Sequence, residues 1–490
     1  MQITASQLYD HVSCPHRVAL DAFGDLAARD AVSPFVRMLW DRGSAFERDV
    51  VEGLPDEAVR ITAADGDRIA ATLAAMDAGA AVIHGGRISA GDLLGEPDLL
   101  VRIGTSYMPA DIKSGRGEEG DGEGAAPKAH YAVQVALYVN ILERLGRSAG
   151  RIAEIWDVRG ERVRYHLDER RGPRTAETWW RLYERCRDEV RSTLAREVET
   201  RGALASACGL CHWRSVCREQ LEAAGDLSLI PMLGRALRDR MAPTLGTLPE
   251  FARTDLDTLI TGAKTVFPGL GADRLRLFHT RARLLADPDA CAFLRAPVEL
   301  PSTSMEIFFD IEADPFRDVT YLHGFIERHD RDPASEVFTG FYADEPTPHA
   351  ERKAFADAMA YLAARPEACV FYYSKYERTM YRKLQARHPD VCGAYDVEAL
   401  FTRPRSIDLY CDVVTKATEW PTRNHSIKTL AKFLGFSWRD SDPSGAASIE
   451  WYHRWIKTGD PAVRQRILDY NEDDCRATIV LLDGIRALAA

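Results

Sequence analysis

The stretch MEIFFDIEAD, residues 305–314, constrains the fold of this chain more than any other segment. Period-two strand geometry puts Asp310 and Glu312 on one face, behind a run of apolar and aromatic residues. Two carboxylates buried side by side are unfavourable unless cations neutralise them. The far C-terminal segment offers further acids for the same pocket. There LDYNEDDC, in a long amphipathic helical pattern, puts Tyr470 and Asp474 four apart on one face. Helical geometry turns Asp473 away from that face by about 100°. Between the two, VFYYSKYERTMYRKL reads as a strand running into a helix that carries Glu377, and SIDLYCD adds Asp408. Acids from a strand, a helix and a final helix suit a two-metal site, with ions about 4 Å apart activating water and stabilising the leaving oxygen of a phosphodiester. Tyr470 is placed to orient that water.

A second acid pair lies in PADIKSG, residues 109–115. Asp111 and Lys113 share one strand face, and Asp98 in GEPDLL stands on a preceding strand. Taken alone, Asp111 and Lys113 are a strand-edge ion pair worth little. With Asp98 they form a site that can hold a divalent ion while Lys113 orients or polarises the attacking water. Downstream, YAVQVALYV puts Gln134 and Tyr138 four apart, on one helix face.

A chain of 490 residues is too long for one core. The pattern divides into 1–225, mixed strand and helix; 226–295, helical; and 296–490, alternating strand and helix, so an α/β multidomain protein is expected. GRGEEGDGEGAAPK, residues 115–128, reads as a mobile loop. Net charge is −11, yet residues 226–286 carry nine Lys/Arg against six Asp/Glu. In that basic piece PMLGRALRDRM and FPGLGADRLRLF each set a Gly-bearing turn before a helix. Such turns suit backbone N–H groups gripping a phosphate; ordinary helix caps are the alternative. No Walker A motif is present, so no ATP-driven motor is expected. The first residues lack the pattern of a signal peptide and no apolar run is long enough to span a membrane, which points to a cytoplasmic protein.

Of ten cysteines, Cys208, Cys211 and Cys217 cluster as C-x2-C-x5-C, and Cys14 in HVSCPHR is the natural fourth ligand. Joined on one metal centre, they would clamp the first helix of the region to its last. Zinc, with His212 as a further candidate ligand, and iron–sulfur are both compatible with the spacing. The remaining cysteines, Cys186, Cys291, Cys369, Cys392, Cys411 and Cys475, read as buried hydrophobes.

Asp98, Asp111-x-Lys113 and Gln134-x-x-x-Tyr138 resemble the PD-(D/E)XK nucleases, specifically their RecB branch. Iron–sulfur members of that branch have one cysteine before the nuclease core and three after it, as Cys14, Cys208, Cys211 and Cys217 do; the resemblance implies a 4Fe–4S cluster. The family usually has a metal-binding His four residues after an Arg-Gly pair, whereas this chain has Glu47 after Arg42-Gly43. A carboxylate there still suits Mg²⁺ or Mn²⁺. His84, in AVIHGG, reads as a core or supporting residue. Asp310-x-Glu312 and Tyr470-x-x-x-Asp474 resemble the RNase H-like, DnaQ-type 3′–5′ exonucleases, closest to the YprB-like branch. Glu377 stands where the wider superfamily has Asp, with Asp408 in reserve.

The whole chain resembles RecB-like nucleases that join a PD-(D/E)XK iron–sulfur domain, a small all-α helix-hairpin-helix domain and a YprB-like RNase H-like domain. That resemblance implies a nuclease acting on single-stranded DNA or DNA ends, with a second centre trimming DNA or RNA. It places the chain in repair, recombination or defence, with a separate helicase or repair partner. Two rivals stand beside it: a catalytically silent nucleic-acid-binding scaffold with a redox-sensitive cluster, and an RNA-directed exonuclease whose first domain only binds.

Overall fold

The computed structural model describes residues 1–62, 64, 66–120, 125–173, 175–441 and 443–489. It contains two compact units, Met1–Gln220 and Leu221–Ala490. Among the described residues no helix is long and apolar enough to cross a membrane.

In the first unit Thr4 caps α1 (Ala5–Ser13) through a capping box with Gln7, and Pro15 opens α2 (Pro15–Phe23) directly after Cys14. Ser33 and Pro34 start the longer α3 (Pro34–Glu52). Six strands form one mixed sheet: β1 (Val59–Arg60), β2 (Val82–His84), β3 (Leu99–Ile103), β4 (Ser106–Lys113), β5 (Ile152–Asp157) and β6 (Arg162–His166). They lie side by side in chain order. β3 and β4 form an antiparallel hairpin, and its register puts Leu99 opposite Ala110, so Asp98 is delivered next to Asp111. β4 and β5 pair in parallel, which requires a crossover. That crossover includes α4 (Ala129–Arg144), a helix apolar on nearly every side. Every residue from Tyr131 to Leu142 is buried except Gln134. α5 (Trp179–Leu194) packs beside it around a shared core that includes Leu137, Ile141, Trp180 and Tyr183. The Gly- and Glu-rich stretch expected to be a mobile loop has paired flanks, Glu118–Glu119 with Ala126–Pro127; its residues 121–124 lie outside the described residues.

The second unit begins with the basic segment. The two glycine turns precede α6 (Gly234–Met241) and α7 (Ala272–Ala286): Gly234 has φ +73° and Gly269 φ +76°. Between these helices sits a two-stranded hairpin, Ile260–Thr261 with Lys264–Thr265, so the segment is not purely helical. α7 is tied into the unit by buried Arg281, which donates to both oxygens of buried Glu419 at 2.8 and 3.2 Å.

The remainder is a five-stranded sheet: β7 (Met305–Asp314), β8 (Val319–His329), β9 (Val337–Tyr342), β10 (Cys369–Tyr372) and β11 (Ser406–Asp408), in the order β9-β8-β7-β10-β11. β7, β8 and β9 are antiparallel, whereas β10 and β11 extend the sheet in parallel. α8 (Pro348–Ala363), α9 (Tyr376–Arg387), α10 (Ile427–Phe433), α11 (Gly445–Thr458) and α12 (Pro461–Ala489) surround it. β7 is covered on both faces, which explains its near-continuous apolar run. Ile307, Phe309 and Ile311 pack with α8 and α9, while Phe308 packs with α12 residues such as Cys475 and Ile479. Asp310 and Glu312 alternate in step with Phe308 and therefore face α12.

Cys186, Cys369 and Cys475 are buried as expected, and Cys392 and Cys411 partly so. Cys291 departs from that expectation and is exposed, because it lies in the connection after α7, where its thiol faces the Asp289 carbonyl at 3.7 Å.

Candidate active sites

The second unit holds the tighter acidic centre. Asp310 and Glu312 of β7 and Asp474 of α12 each offer an oxygen, and these oxygens lie within 4.8 Å of one another. Neutral donors fix each acid. The Asn471 side-chain amide donates to Asp310 Oδ2 at 2.6 Å. The Tyr321 hydroxyl donates to Glu312 Oε2 at 3.2 Å, and Trp438 Nε1 donates to Asp474 Oδ1 at 2.6 Å. One cation is at hand: Lys428 Nζ, 3.7 Å from Asp474 Oδ2, donates at 2.6 Å to the Tyr470 hydroxyl. Burial and then the charge of Asp474 push Glu312 up to about 8, with Lys428 opposing. Burial, Asp474 and Glu312 drive Asp310 well above the ordinary carboxylate range. Burial raises Asp474 too, against Lys428 and a hydrogen bond from Tyr470. Three hard oxygen donors that resist ionisation together fit a divalent cation such as Mg²⁺ or Mn²⁺.

The other acids separate by their partners. Glu377, the second residue of α9, is buried, and its Oε2 has no hydrogen-bond partner among the described residues. Burial raises its carboxyl strongly, with Asp408 and Asp474 adding to the effect. It borders the acid cluster without belonging to its tight tripod. Asp408 accepts from the backbone N–H groups of Ser374 and Cys411, at 3.0 and 2.8 Å, and so serves the chain turns beside the site. Asp473 points away and is bound by Arg439, through its backbone N–H at 2.8 Å and its guanidinium at 2.9 Å.

Asn471 and Lys428 are not evident from the motif spacing. One sequence signal does point toward Asn471. Gly324 stands inside the apolar strand β8, directly opposite Asp310, and a glycine there marks a close approach. A Cβ on Gly324 would fall 1.6 Å from Asn471 Oδ1.

In the first unit Asp98, Asp111 and Lys113 meet, and Glu47 is near enough to feel their charges, but among the described residues the three acids do not form a tight three-oxygen group like that of the second unit. Asp98 Oδ2 accepts from the Ile112 backbone N–H at 2.7 Å, and the Asp98 N–H donates to Asp111 Oδ1 at 3.4 Å. Lys113 Nζ lies 2.9 Å from Asp111 Oδ2. Burial followed by the Asp111 charge lifts Asp98 to about 8, with Glu47 contributing and Lys113 opposing. For Lys113 burial favours the neutral form, but Asp111 and Asp98 outweigh it and raise its pKa. Glu47, on α3, is held low first by its contact with His84, against burial, with Lys113 assisting. His84 Nε2 lies 3.9 Å from Glu47 Oε1, and the ring is partly buried in the strand beside Asp98. Tyr138 donates to the Glu96 carbonyl at 3.3 Å and receives the Gln134 amide at 3.4 Å. Gly95 makes this possible, since a Cβ there would meet the Tyr138 ring at 2.7 Å. Gln134 and Tyr138 thus brace the turn that delivers Asp98.

Cys14 stands at the junction of α1 and α2; Cys208, Cys211 and Cys217 lie in and after the 3₁₀ turn Ser206–Leu210. Burial raises the Cys211 thiol, against a hydrogen bond from Trp213 and the charge of Arg17, and Cys14 and Cys208 are near enough to add to the rise. Cys217 Sγ and the His16 ring both lie within 4 Å of the Cβ position of Gly202. Cys14 and Cys208 thus stand near Cys211, and Cys217 near His16, but among the described residues the cysteines do not form a closely spaced metal-ligand group of the kind made by Asp310, Glu312 and Asp474. His212 Nε2 is engaged at 2.7 Å by Asp21, which also accepts from Trp213 Nε1 at 2.9 Å and Arg29 at 2.8 Å. This Asp21 hub is a feature that cysteine spacing does not announce.

Residues 10–218 match the PD-(D/E)XK nuclease superfamily, and residues 307–485 match the RNase_H superfamily. The chain thus carries a domain of each superfamily. No curated protein matches it. Among solved structures, the zinc ion-bound E. coli ExoI–ssDNA complex aligns over 38% of this chain and 41% of that chain, at 16% identity and a TM-score of 0.21; the chain therefore spans less than half of that protein.

Proposed function

We propose that the protein is a metal-dependent nuclease that hydrolyses phosphodiester bonds of DNA, at single strands or ends, through the Asp98/Asp111 centre. The Asp310/Glu312/Asp474 centre trims 3′ ends of DNA or RNA. The observation that carries this reading is the meeting of three carboxylate oxygens within 4.8 Å in a pocket that disfavours their ionisation. When bound at either set of acids, Mg²⁺ or Mn²⁺ supplies Lewis-acid stabilisation of charge on the phosphoryl oxygens and eases deprotonation of the attacking water. Glu47, Asp98 and Asp111 would hold it in the first centre; Asp310, Glu312 and Asp474 would hold it in the second, with Glu377 at the border. Lys113 orients the attacking water in the first centre, and Tyr470 does so in the second. Gln134 and Tyr138 keep Asp98 in place, as Asn471 keeps Asp310.

Cys14, Cys208, Cys211 and Cys217 would hold a 4Fe–4S cluster whose role is structural, joining the α1–α2 junction to the segment after Ser206. Residues 226–295, with their net positive charge and two glycine turns, would act as helix-hairpin-helix units on the phosphate backbone. The setting is repair, recombination or defence in the cytoplasm, alongside a separate helicase or other partner.

Release of nucleotides from end-labelled single-stranded, double-stranded and hybrid substrates with Mg²⁺ or Mn²⁺ tests the reading. Asp111→Ala and Asp310→Ala, made singly, assign activity to a centre. Degradation unchanged by both variants would remove both assignments, and no degradation by the parent chain would favour a silent binding scaffold. Loss with Asp310→Ala alone, together with RNA preference, would favour an RNA-directed exonuclease. Anaerobic purification decides the cluster: a brown protein with sulfur-to-iron absorption supports it, and a colourless zinc protein removes it.

A further inference from the structure

Ser426 caps α10 from just before its first residue, its hydroxyl accepting the Thr429 N–H, and the second residue of the helix, Lys428, reaches the second centre. Lys428 Nζ touches the Tyr470 hydroxyl and stands 3.7 Å from Asp474. Lys432 follows four residues later on the same helix face, an advance of about 6 Å along the axis. It is exposed and has no ion-pair partner among the described residues. The two ammonium groups lie 5.9 and 6.0 Å from the Trp438 ring, so both point to one side of α10. That ring in turn donates to Asp474. A line of positive charge therefore starts inside the acid cluster and leads outward over Trp438. The cluster itself repels an anionic strand, and these two lysines offer it a path in.

We propose that Lys428 and Lys432 form the phosphate track of the second centre, taking two successive phosphates of a single polynucleotide strand. Lys428 meets the scissile phosphate and Lys432 the neighbouring one on its 5′ side. The inference rests on the proposal that this centre trims 3′ ends. A track of this kind touches the backbone and no base edge, so it admits any sequence, in DNA or RNA.

Lysine footprinting of the full, unsubstituted chain tests it. The protein is acetylated with and without a short phosphorothioate oligodeoxythymidylate, which resists hydrolysis, and the modified lysines are mapped by mass spectrometry. Lys432 should be protected severalfold by the oligonucleotide and left reactive by thymidine 5′-monophosphate, which has no second phosphate. Lys432→Ala should raise the oligonucleotide concentration needed to protect Lys428 by about fivefold, the upper range for an exposed ion pair, and Lys432→Arg should restore it. Its binding should also lose about 0.7 from the slope of log affinity against log salt. Lys353→Ala, at an exposed lysine paired with Asp357 on α8, should leave protection of Lys428 at the parent level. A Lys432 that is equally acetylated with and without oligonucleotide serves only the C-terminal end of α10, and the track is wrong. The track is equally wrong if Lys353→Ala matches Lys432→Ala. Protection of Lys432 in a chain whose degradation ignores Asp310→Ala would instead sink the 3′-trimming assignment and leave the track standing.

Discussion

Asp111-x-Lys113 and Asp310-x-Glu312 occupy the same spacing at the heart of two sheets, and they differ in the sign of one charge. In the first unit Lys113 sits 2.9 Å from Asp111 and the Ile112 backbone N–H satisfies Asp98, so part of the acid charge is met within the protein. In the second unit Glu312 stands where the lysine would be. Three acid oxygens crowd within 4.8 Å, and the nearest ammonium, Lys428, is 3.7 Å from one of them. Lys113 offsets part of the charge in the first arrangement, yet burial and Asp111 still push Asp98 up to about 8. The second is held by neutral donors from Asn471, Tyr321 and Trp438, which orient carboxylates without cancelling their charge. One residue in each motif thus changes how much of its centre's charge the protein itself offsets.

The largest expected effect is the loss of either anchor acid. Asp111→Ala and Asp310→Ala should each reduce the activity of their own centre about 10²–10³-fold, read as nucleotide release, and leave the other centre's products unchanged. A common loss from both variants would break the comparison. Next, Asn471→Ala should weaken metal-dependent activity of the second centre about 10–100-fold, the scale for removing a group that orients a metal ligand. Gly324→Ala should produce a loss of similar kind, because its methyl group claims the space of Asn471 Oδ1. The double variant should lose less than the product of the two single losses, since removing the amide relieves the clash.

A smaller effect separates the two middle acids. Glu377→Gln should lower activity of the second centre about tenfold. Asp408→Ala should instead cost about 1 kcal/mol of stability in a denaturant titration, since it removes the oxygen that accepts the Ser374 and Cys411 backbone N–H groups. The reverse pattern would make Asp408 the metal-facing acid. The smallest effect is on stability against pH. Carboxyls raised in the folded state hold protons that the unfolded chain has released. Their contribution is present below the ordinary carboxylate range and is lost as pH rises to about 8, where Glu312 and Asp98 release theirs. In chelator, the thermal midpoint of the second unit should fall more than that of the first between about pH 5 and pH 8. Saturating Mg²⁺ should restore a few degrees, from about 2.7 kcal/mol at a hundredfold excess over the dissociation constant. Equal falls in both units would show that Lys113 gives no advantage.

Much of this arrangement was legible in local pattern. Period-two strands carried Asp310, Glu312, Asp111 and Lys113, and helical spacing paired Gln134 with Tyr138 and Tyr470 with Asp474. These signals are short-range: a strand or helix period alone says which side chains share a face. That Gln134 is the one residue between Tyr131 and Leu142 left unburied emerged only from the structure. The basic segment was less legible. Its glycine turns were visible, but the strand pair at 260–265 was not, and Arg281 reaches Glu419 across a long sequence separation that no period encodes.

By itself, the amino-acid order determined the two nuclease-type acid motifs, the split between sheet-forming and helical segments, and the order of the four cysteines. Only the tertiary structure decided which acids share a pocket and which merely cap a turn, because Asp408 and Glu377 look alike until their hydrogen-bond partners are in place. It also decided the supporting residues, Asn471, Gly324, Lys428 and Asp21. Their roles come from distances between segments far apart in the chain, and these are set by how β-sheet register and helix packing close around the core rather than by any local propensity.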